Sequence, residues 1–312
     1  MTAAVWITGA HGFLGRHLCT LAAQNEWRLF GVGHGNWPEP DRRRAGMGHW
    51  INGDVDHAAL SSLQTVSGPP SYVFHLAGGS SVRASLLEPF EDLRRTVLST
   101  AAVLDWLRVH APDAVFVMAS SAAVYGTTSL STIPESSLAV PISPYGINKY
   151  AAELMVRNYG KNYGVRSAIL RMFSVYGPGL EKQLVWDIGS RLNSSPSSLM
   201  LSGTGNELRD WIFAEDAARA LLHVRDHANR DAPIFNAGTG HGTSVRQIAE
   251  LIIGLWKSRT ALTFDGVVRG GDPLKLVADP TRLLESDFLW KTSLAAGMTQ
   301  TVNWLKLRLN AQ

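Results

Sequence analysis

Apolar positions in the first half of the chain follow two alternating rhythms. Short unbroken runs rich in β-branched and aromatic residues occur at AAVWIT (Ala3 to Thr8), RLFGVG (Arg28 to Gly33), YVFHLA (Tyr72 to Ala77), AVFVMAS (Ala114 to Ser120) and RSAILRM (Arg166 to Met172). Such runs predict strands buried on both faces. A shorter strand is expected at His49 to Asn52. Longer stretches of helical spacing lie between them, starting near Gly12, His57, Pro89 and Pro144, the third reaching His110. Strands alternating with crossover helices predict an α/β fold built on a doubly wound parallel sheet.

Past YGPG (Tyr176 to Gly179) the rhythm breaks, and Gly, Ser and Asn become frequent, as in NSSPSS (Asn193 to Ser198). PIFNAG (Pro233 to Gly238) is apolar enough to return to the sheet. The expected division is therefore a sheet domain over 1–175, rejoined near 233–238, and a smaller lobe made mainly of 176–312. Ligands of open α/β sheets bind at the carboxyl ends of the strands, so a lobe inserted after the sixth strand is placed to cover that crevice.

Composition narrows the class. A chain of 312 residues with 45% hydrophobic content can bury a large core. MTAAVWITGA runs straight into a strand without a basic leader or cleavage site, and no stretch reaches membrane-spanning length. A cytoplasmic protein with no membrane partner is expected. The single cysteine, Cys19, excludes an internal disulfide and falls in a predicted helix, where packing is its expected role. The net charge of +3 is mildly basic, and the one compact run is Arg42 to Arg44. That does not make a nucleic-acid surface, whereas a small anionic ligand fits. No metal-ligating cluster stands out in the sequence.

Three glycines leave the first strand in TGAHGFLG, at Gly9, Gly12 and Gly15. This is the dinucleotide fingerprint with one additional residue in the turn. Gly9 permits a tight turn, Gly12 lets backbone approach a pyrophosphate, and Gly15 lets the helix pack close to the sheet. A plain strand-to-helix turn would use the same residues. Asp54 in NGDVD suits an adenine amine, although Asp54 or Asp56 also suits the cap of the helix at His57. The second strand ends in His34 and Gly35, where a carboxylate would hold the ribose hydroxyls. With Arg42 to Arg44 nearby, the site is open to the 2'-phosphate of NADP; a solvated arginine loop is the other reading.

SPYGINKYAAE sets Tyr145 one helical turn before Lys149. An ammonium beside a phenol stabilises the phenolate and brings its pKa toward neutrality. Spacing alone does not set such a pair apart from a chance one. Ser121 in MASSAAVYG stands at the carboxyl end of a parallel strand, where it can bond the substrate oxygen that Tyr145 protonates or deprotonates. Serine is also an ordinary turn former there.

With these motifs the chain resembles the extended short-chain dehydrogenase/reductases, in particular the NAD(P)-dependent epimerase/dehydratases of nucleotide sugars. TGAHGFLG, GDV, HLAG, SSAAVYG, YGINK and RMFSVYGPG carry the resemblance, joined in the second half by GTGNELRDWIFAEDAARA, FNAGTG and RGGDPLKLVADPTRL. It implies that Tyr145 is the general acid/base, Lys149 binds the nicotinamide ribose, and Ser121 positions the sugar oxygen. Cofactor contacts are implied at Gly9, Gly12, Phe13, Leu14, Gly15, His34, Asp54, Val55, Leu76, Ala77 and Gly78. Arg209 and Arg269 are implied on the substrate diphosphate, Asp272 on a ribose or an arginine, and Ser174 on the substrate. A homodimer built on the fourth and fifth helices is also implied.

Departures restrict the chemistry. Family dehydratases place an Asp-Glu pair after the serine or threonine, but here Ala122 and Ala123 follow and cannot move protons. Thr96 and Ser174 stand where asparagine is usual, and Gly78 and Gly79 where alanine is frequent, which gives more room near a nicotinamide. Hydride transfer at C4 of a nucleotide sugar remains, with NAD or NADP. The missing carboxylate at His34 favours an NADPH-dependent 4-keto reductase, and a 4-epimerase with retained cofactor is the alternative. A reductase of steroid-like or flavonoid-like carbonyls would not need the two arginines. A non-catalytic cofactor sensor or RNA-binding module would not need Tyr145 and Lys149.

Overall fold

In the computed structural model, which describes residues 2–267 and 273–310, the unbroken apolar runs become strands of one sheet because helices cover both of its faces. The chain runs β1 (Ala4–Thr8), α1 (Phe13–Ala23), β2 (Arg28–Gly33), α2 (Glu39–Arg44), β3 (Met47–Asn52), α3 (His57–Ser67), β4 (Tyr72–His75), α4 (Val82–Leu87), α5 (Pro89–Leu93), α6 (Ser99–His110), β5 (Val115–Ser121), α7 (Pro144–Tyr163) and β6 (Arg166–Met172). The sheet order is β3-β2-β1-β4-β5-β6, with β10 (Ile234–Ala237) on the β6 edge. The registers between β3 and β6 are all parallel. Strand order reverses between β1 and β4, the switch point where such sheets take their ligands.

The remaining elements are β7 (Ser174–Tyr176), α8 (Gln183–Leu192), β8 (Ser198–Leu201), β9 (Leu208–Phe213), α9 (Ala214–Val224), β11 (Gly242–Ser244), α10 (Val245–Trp256), β12 (Ala261–Phe264), β13 (Lys275–Leu276), α11 (Thr281–Glu285) and α12 (Leu294–Asn310). Two compact units result: Met1–Gly126, Ser137–Met172 and Ala217–Phe235 in the first, and Thr127–Ser136, Phe173–Asp216 and Asn236–Gln312 in the second. This differs in two segments from a sheet domain over 1–175 rejoined near 233–238. Thr127–Ser136 belongs to the second unit because Ile133 exchanges backbone bonds with Val277 and Asp279. Ala217–Phe235 belongs to the first because Ser167 pairs with Asn229, and Ile169 N donates to Pro233 O.

Local chemistry revises two expectations. The arginine run lies in α2, a short helix whose own acids pair with Arg43 and Arg44 through Glu39 and Asp41. The helix expected from Pro89 to His110 is interrupted by a π-helical turn at Arg94–Leu98. That turn buries Thr96, whose Oγ1 accepts from Gly79 N at 2.8 Å. The second unit has its own core, including Tyr176, Ile188, Leu199, Phe213, Ile248, Met298 and Leu305. Its loops are gathered by Asp210, a fully buried carboxylate accepting from Thr239, Gly240 and Ala278.

In the first unit His75 links β1, β4 and α6 through its ring. Its Nδ1 lies 2.8 Å from Thr8 Oγ1 and its Nε2 lies 3.0 Å from Thr100 Oγ1. Thr100 spends its one hydroxyl proton on Thr96 O, and Thr8 accepts from Ala77 N. The network therefore assigns the ring proton to Nε2, with Thr8 donating to Nδ1. Burial, and then the charge of Lys149, lower the imidazole pKa to about 3. The unfolded chain binds a proton near pH 6.5 while the native ring does not, so stability falls as pH drops from 6.5 toward 3. The expected loss from this residue is about 2 kcal/mol by pH 5. Urea unfolding at pH 7 and pH 5 checks it: the gap should narrow in His75→Gln, and an equal gap in both proteins would refute the assignment.

Candidate active site

Helix α7 is begun by local chemistry that also aims its first side chains. Ser143 caps it by accepting from Gly146 N at 3.2 Å, and Pro144 occupies the first turn. Tyr145 N donates to Ser85 Oγ at 3.0 Å, which ties the helix start to α4. Gly146 is required by a close approach: a Cβ there would sit 2.6 Å from Ala123 O. The first turn of α7 therefore lies directly on the turn that leaves β5, and the Tyr145 phenol lies close enough to the Ser121 hydroxyl for that hydroxyl to lower the phenol's pKa. Ser121 also accepts from Ala123 N at 3.1 Å, which fixes its side chain at the strand end.

Lys149 follows one turn later and is 4% exposed. Its Nζ donates to Ala119 O at 3.1 Å. Burial pulls its pKa down to about 8, opposed by Asp92 and Glu153. Tyr145 keeps some exposed surface, yet its surroundings desolvate the phenol and push its pKa up. Ser121 opposes that rise and Asp92 adds to it. Burial sets this direction, and the one neighbouring charge that bears on the phenol, Asp92, acts the same way.

Beneath the pair lies a buried ionic cluster that spacing did not reveal. Glu153, a further turn along α7, accepts from Arg171 Nε at 3.0 Å and Nη2 at 2.6 Å, and from the Ser120 hydroxyl. Arg171 and Glu153 side chains are 3% and 1% exposed. The guanidinium also lies 4.6 Å from the Tyr125 ring centroid. Sequence separation hides this pair, although an arginine inside an apolar strand and a glutamate on the buried face of a helix are each unusual enough to prompt a search for a partner.

The glycine turn at the end of β1 is tight for a visible reason. Gly9 has φ +70°, and a Cβ on it would lie 2.8 Å from Ala77 N. A Cβ on Gly15 would lie 2.5 Å from Gly9 O. Gly12 starts α1 without a side-chain cap, and no acidic residue stands in the first turn. These residues fit a dinucleotide pyrophosphate, since the start of α1 has neither a side-chain cap nor a carboxylate to compete with an anion. Phe13 and Leu14 form the first turn of α1 and are partly buried. Cys19, fully buried in the same helix, has its thiol pushed up to about 12 by burial.

At the end of β2, His34 Nε2 donates to Asp54 Oδ1 at 2.8 Å, and Arg94 Nη1 donates to Asp54 Oδ2 at 2.6 Å. Arg94 is the main cause holding the Asp54 carboxyl below its usual range. Asp54 is not the cap of α3; Asp56 is, accepting from Ala59 N at 2.8 Å. Val55 packs against the sheet core. Leu76 and Ala77 donate from their backbones to Thr8. A Cβ on Gly78 would come 3.2 Å from both Lys149 Nζ and Thr96 Oγ1, and one on Gly79 would come 1.8 Å from Asp92 Oδ1. The two glycines thus admit these side chains rather than leave room.

In the second unit Ser174 opens β7 opposite Trp211, and Arg209 lies on β9 with Nη1 donating to Leu208 O at 2.9 Å. Arg269 and Asp272 fall outside the described residues. Among the described residues no group of acids, histidines or cysteines could hold a metal, and no helix is long and apolar enough to cross a membrane.

Residues 5–238 match the model of the NAD dependent epimerase/dehydratase family. A putative UDP-glucose 4-epimerase of Methanocaldococcus jannaschii is 27% identical, across 97% of this chain and 98% of its own. A GDP-6-deoxy-D-mannose reductase of Pseudomonas aeruginosa is 25% identical, across 97% of this chain and 92% of its own. Among solved structures, a UDP-glucose 4-epimerase of Thermotoga maritima with UDP-glucose superposes with a TM-score of 0.89 at 26% identity, covering 98% of this chain and 99% of that one.

Proposed function

The chain belongs to the NAD dependent epimerase/dehydratase family, and from that premise we propose that it inverts C4 of a UDP-sugar with a nicotinamide dinucleotide that stays bound. The observation that carries the reading is that Ser121, fixed at the carboxyl end of β5, acts on the Tyr145 phenol, which stands one helical turn before the buried Lys149. NAD, when bound along the Gly9–Gly15 turn, would supply the acceptor and donor of the C4 hydride. Ser121 and Tyr145 hold the sugar O4 between them. Tyr145 takes the O4 proton as C4 becomes a carbonyl and returns it once the ring has presented its other face. Lys149 keeps a positive charge near the forming phenolate. Ala122 and Ala123 give the site no second acid or base, which argues against loss of water.

A second reading, reduction of a 4-keto sugar by NADPH, rests on the end of β2. No carboxylate of β2 is there to hold a ribose 2'-hydroxyl, and Asp54 is occupied by His34 and Arg94. The pairing of Arg43 and Arg44 within α2 weakens that reading. Mixing the protein with UDP-glucose, UDP-galactose and UDP-glucuronic acid without added cofactor separates the two. Conversion to the C4 epimer is the expected result. Conversion of 4-keto sugars only with stoichiometric NADPH consumption would replace the first reading by the second.

A further inference from the structure

Asp92 is a charged group buried at this site for which the proton path above has no use. It is 6% exposed on α5 and has no counterpart among the residues the sequence motifs single out. Asn148 Nδ2 donates to its Oδ2 at 2.7 Å, from the residue immediately before Lys149. Its Oδ1 fills the space where a side chain on Gly79 would begin, 1.8 Å from that position. The same loop carries Gly78, whose missing side chain admits Lys149 Nζ. Gly78, Gly79 and Asn148 therefore form a seat that brings one carboxylate to the Tyr145–Lys149 pair. A side chain at 79 and a carboxylate at 92 exclude one another in this arrangement.

Resting on the active-site reading above, we propose that Asp92 is a positioning residue: the buried counter-charge that keeps Lys149 an ammonium and Tyr145 a neutral phenol, and so sets the pH range of turnover. The charged and titratable groups facing the pair are Asp92 from α5, Glu153 from α7, Arg171 from β6 behind Glu153, and His75 from β4. His75 is neutral at working pH, and Glu153 is neutralised by Arg171. Among the described residues Asp92 is left as the acid of this cluster with no arginine or lysine in an ion pair on it. It opposes phenol ionisation, adding to the rise that burial gives Tyr145, and it favours the ammonium against the burial that pulls Lys149 down.

The test is Asp92→Asn, which keeps the shape and an acceptor for Asn148 while removing the charge. Both the phenol and the ammonium should then lose their protons at lower pH. The pH profile of kcat on UDP-glucose, or on whichever UDP-sugar in the panel turns over, should shift acidward by about one pH unit, the scale set by one nearby charge. A merely structural role would lower the rate at every pH and leave the limbs in place, which overturns the proposal. Gly79→Ala, which displaces the carboxylate without changing charge, should move the profile in the same direction. A readout without substrate is the tyrosinate absorbance of parent and Asp92→Asn proteins, each differenced against its Tyr145→Phe counterpart. Ionisation of Tyr145 at lower pH in Asp92→Asn is expected, and coincident titrations overturn the proposal. Turnover surviving in Tyr145→Phe would sink the active-site reading instead, and the titration would still decide whether Asp92 governs the phenol.

Discussion

Tyr145→Phe is expected to lower kcat by about 10²–10⁴-fold, the range for loss of a positioned acid/base group, with little change in thermal midpoint. The ring, the Ser143 cap and the bond from Tyr145 N to Ser85 all survive the substitution, so α7 should form as before. Only the hydroxyl and its interaction with Ser121 disappear. The pair would then lack the group that takes and returns the O4 proton, so the loss should appear in kcat far more than in KM. Ser121→Ala should cost less, because the phenol remains. Kinetics of both variants on the same UDP-sugar, beside their melting curves, check this. A Tyr145→Phe enzyme within tenfold of the parent would remove the phenol from the mechanism.

Glu153→Ala carries the largest expected effect on stability, a loss of about 3–5 kcal/mol. The Arg171 guanidinium would be left 3% exposed, with its carboxylate partner gone and the Ser120 hydroxyl without its acceptor. Burial opposes the charged form of Arg171, and it is Glu153 that outweighs this in the native protein. Stacking on Tyr125 remains but does not replace two charge-assisted hydrogen bonds. Replacing both partners with apolar residues, Glu153→Leu with Arg171→Met, should recover much of the loss because no charge is then stranded. Urea unfolding of the two single variants and the double variant measures the coupling. A cost below about 1 kcal/mol for Glu153→Ala would mean that solvent reaches the pair.

Much of the sheet could be read in advance because a parallel strand covered on both faces leaves an unbroken apolar run. Arg28–Gly33 and Arg166–Met172 form strands over the expected residues, and the other strand ends move by one or two positions. The run at Pro233–Gly238 does return to the sheet, as Ile234–Ala237. The short strands of the second unit left no such mark: over four positions each, β8 alternates exposed with buried residues and β12 exposed with half-buried ones. Tyr145 and Lys149 were visible because helical spacing is local. Asp92, Glu153 and Arg171 were not, because each partnership depends on three-dimensional approach: α5 to the loop after β4, and α7 to β6. The pairing inside the arginine run was hidden for a related reason. Its helix supplies Glu39 and Asp41 as partners, so three successive arginines do not make three available charges. Spacing reports the proximity of Lys149 to Tyr145 and says nothing about the desolvation of either group.

The central claim is that Tyr145 and Ser121 meet the same sugar oxygen. A crystal structure of the protein with NAD and UDP-glucose tests it most directly. The account predicts Tyr145 Oη and Ser121 Oγ both within about 2.6–3.2 Å of O4, with C4 turned toward the nicotinamide ring. A sugar bound with O4 away from both hydroxyls, and another side chain in their place, would contradict it.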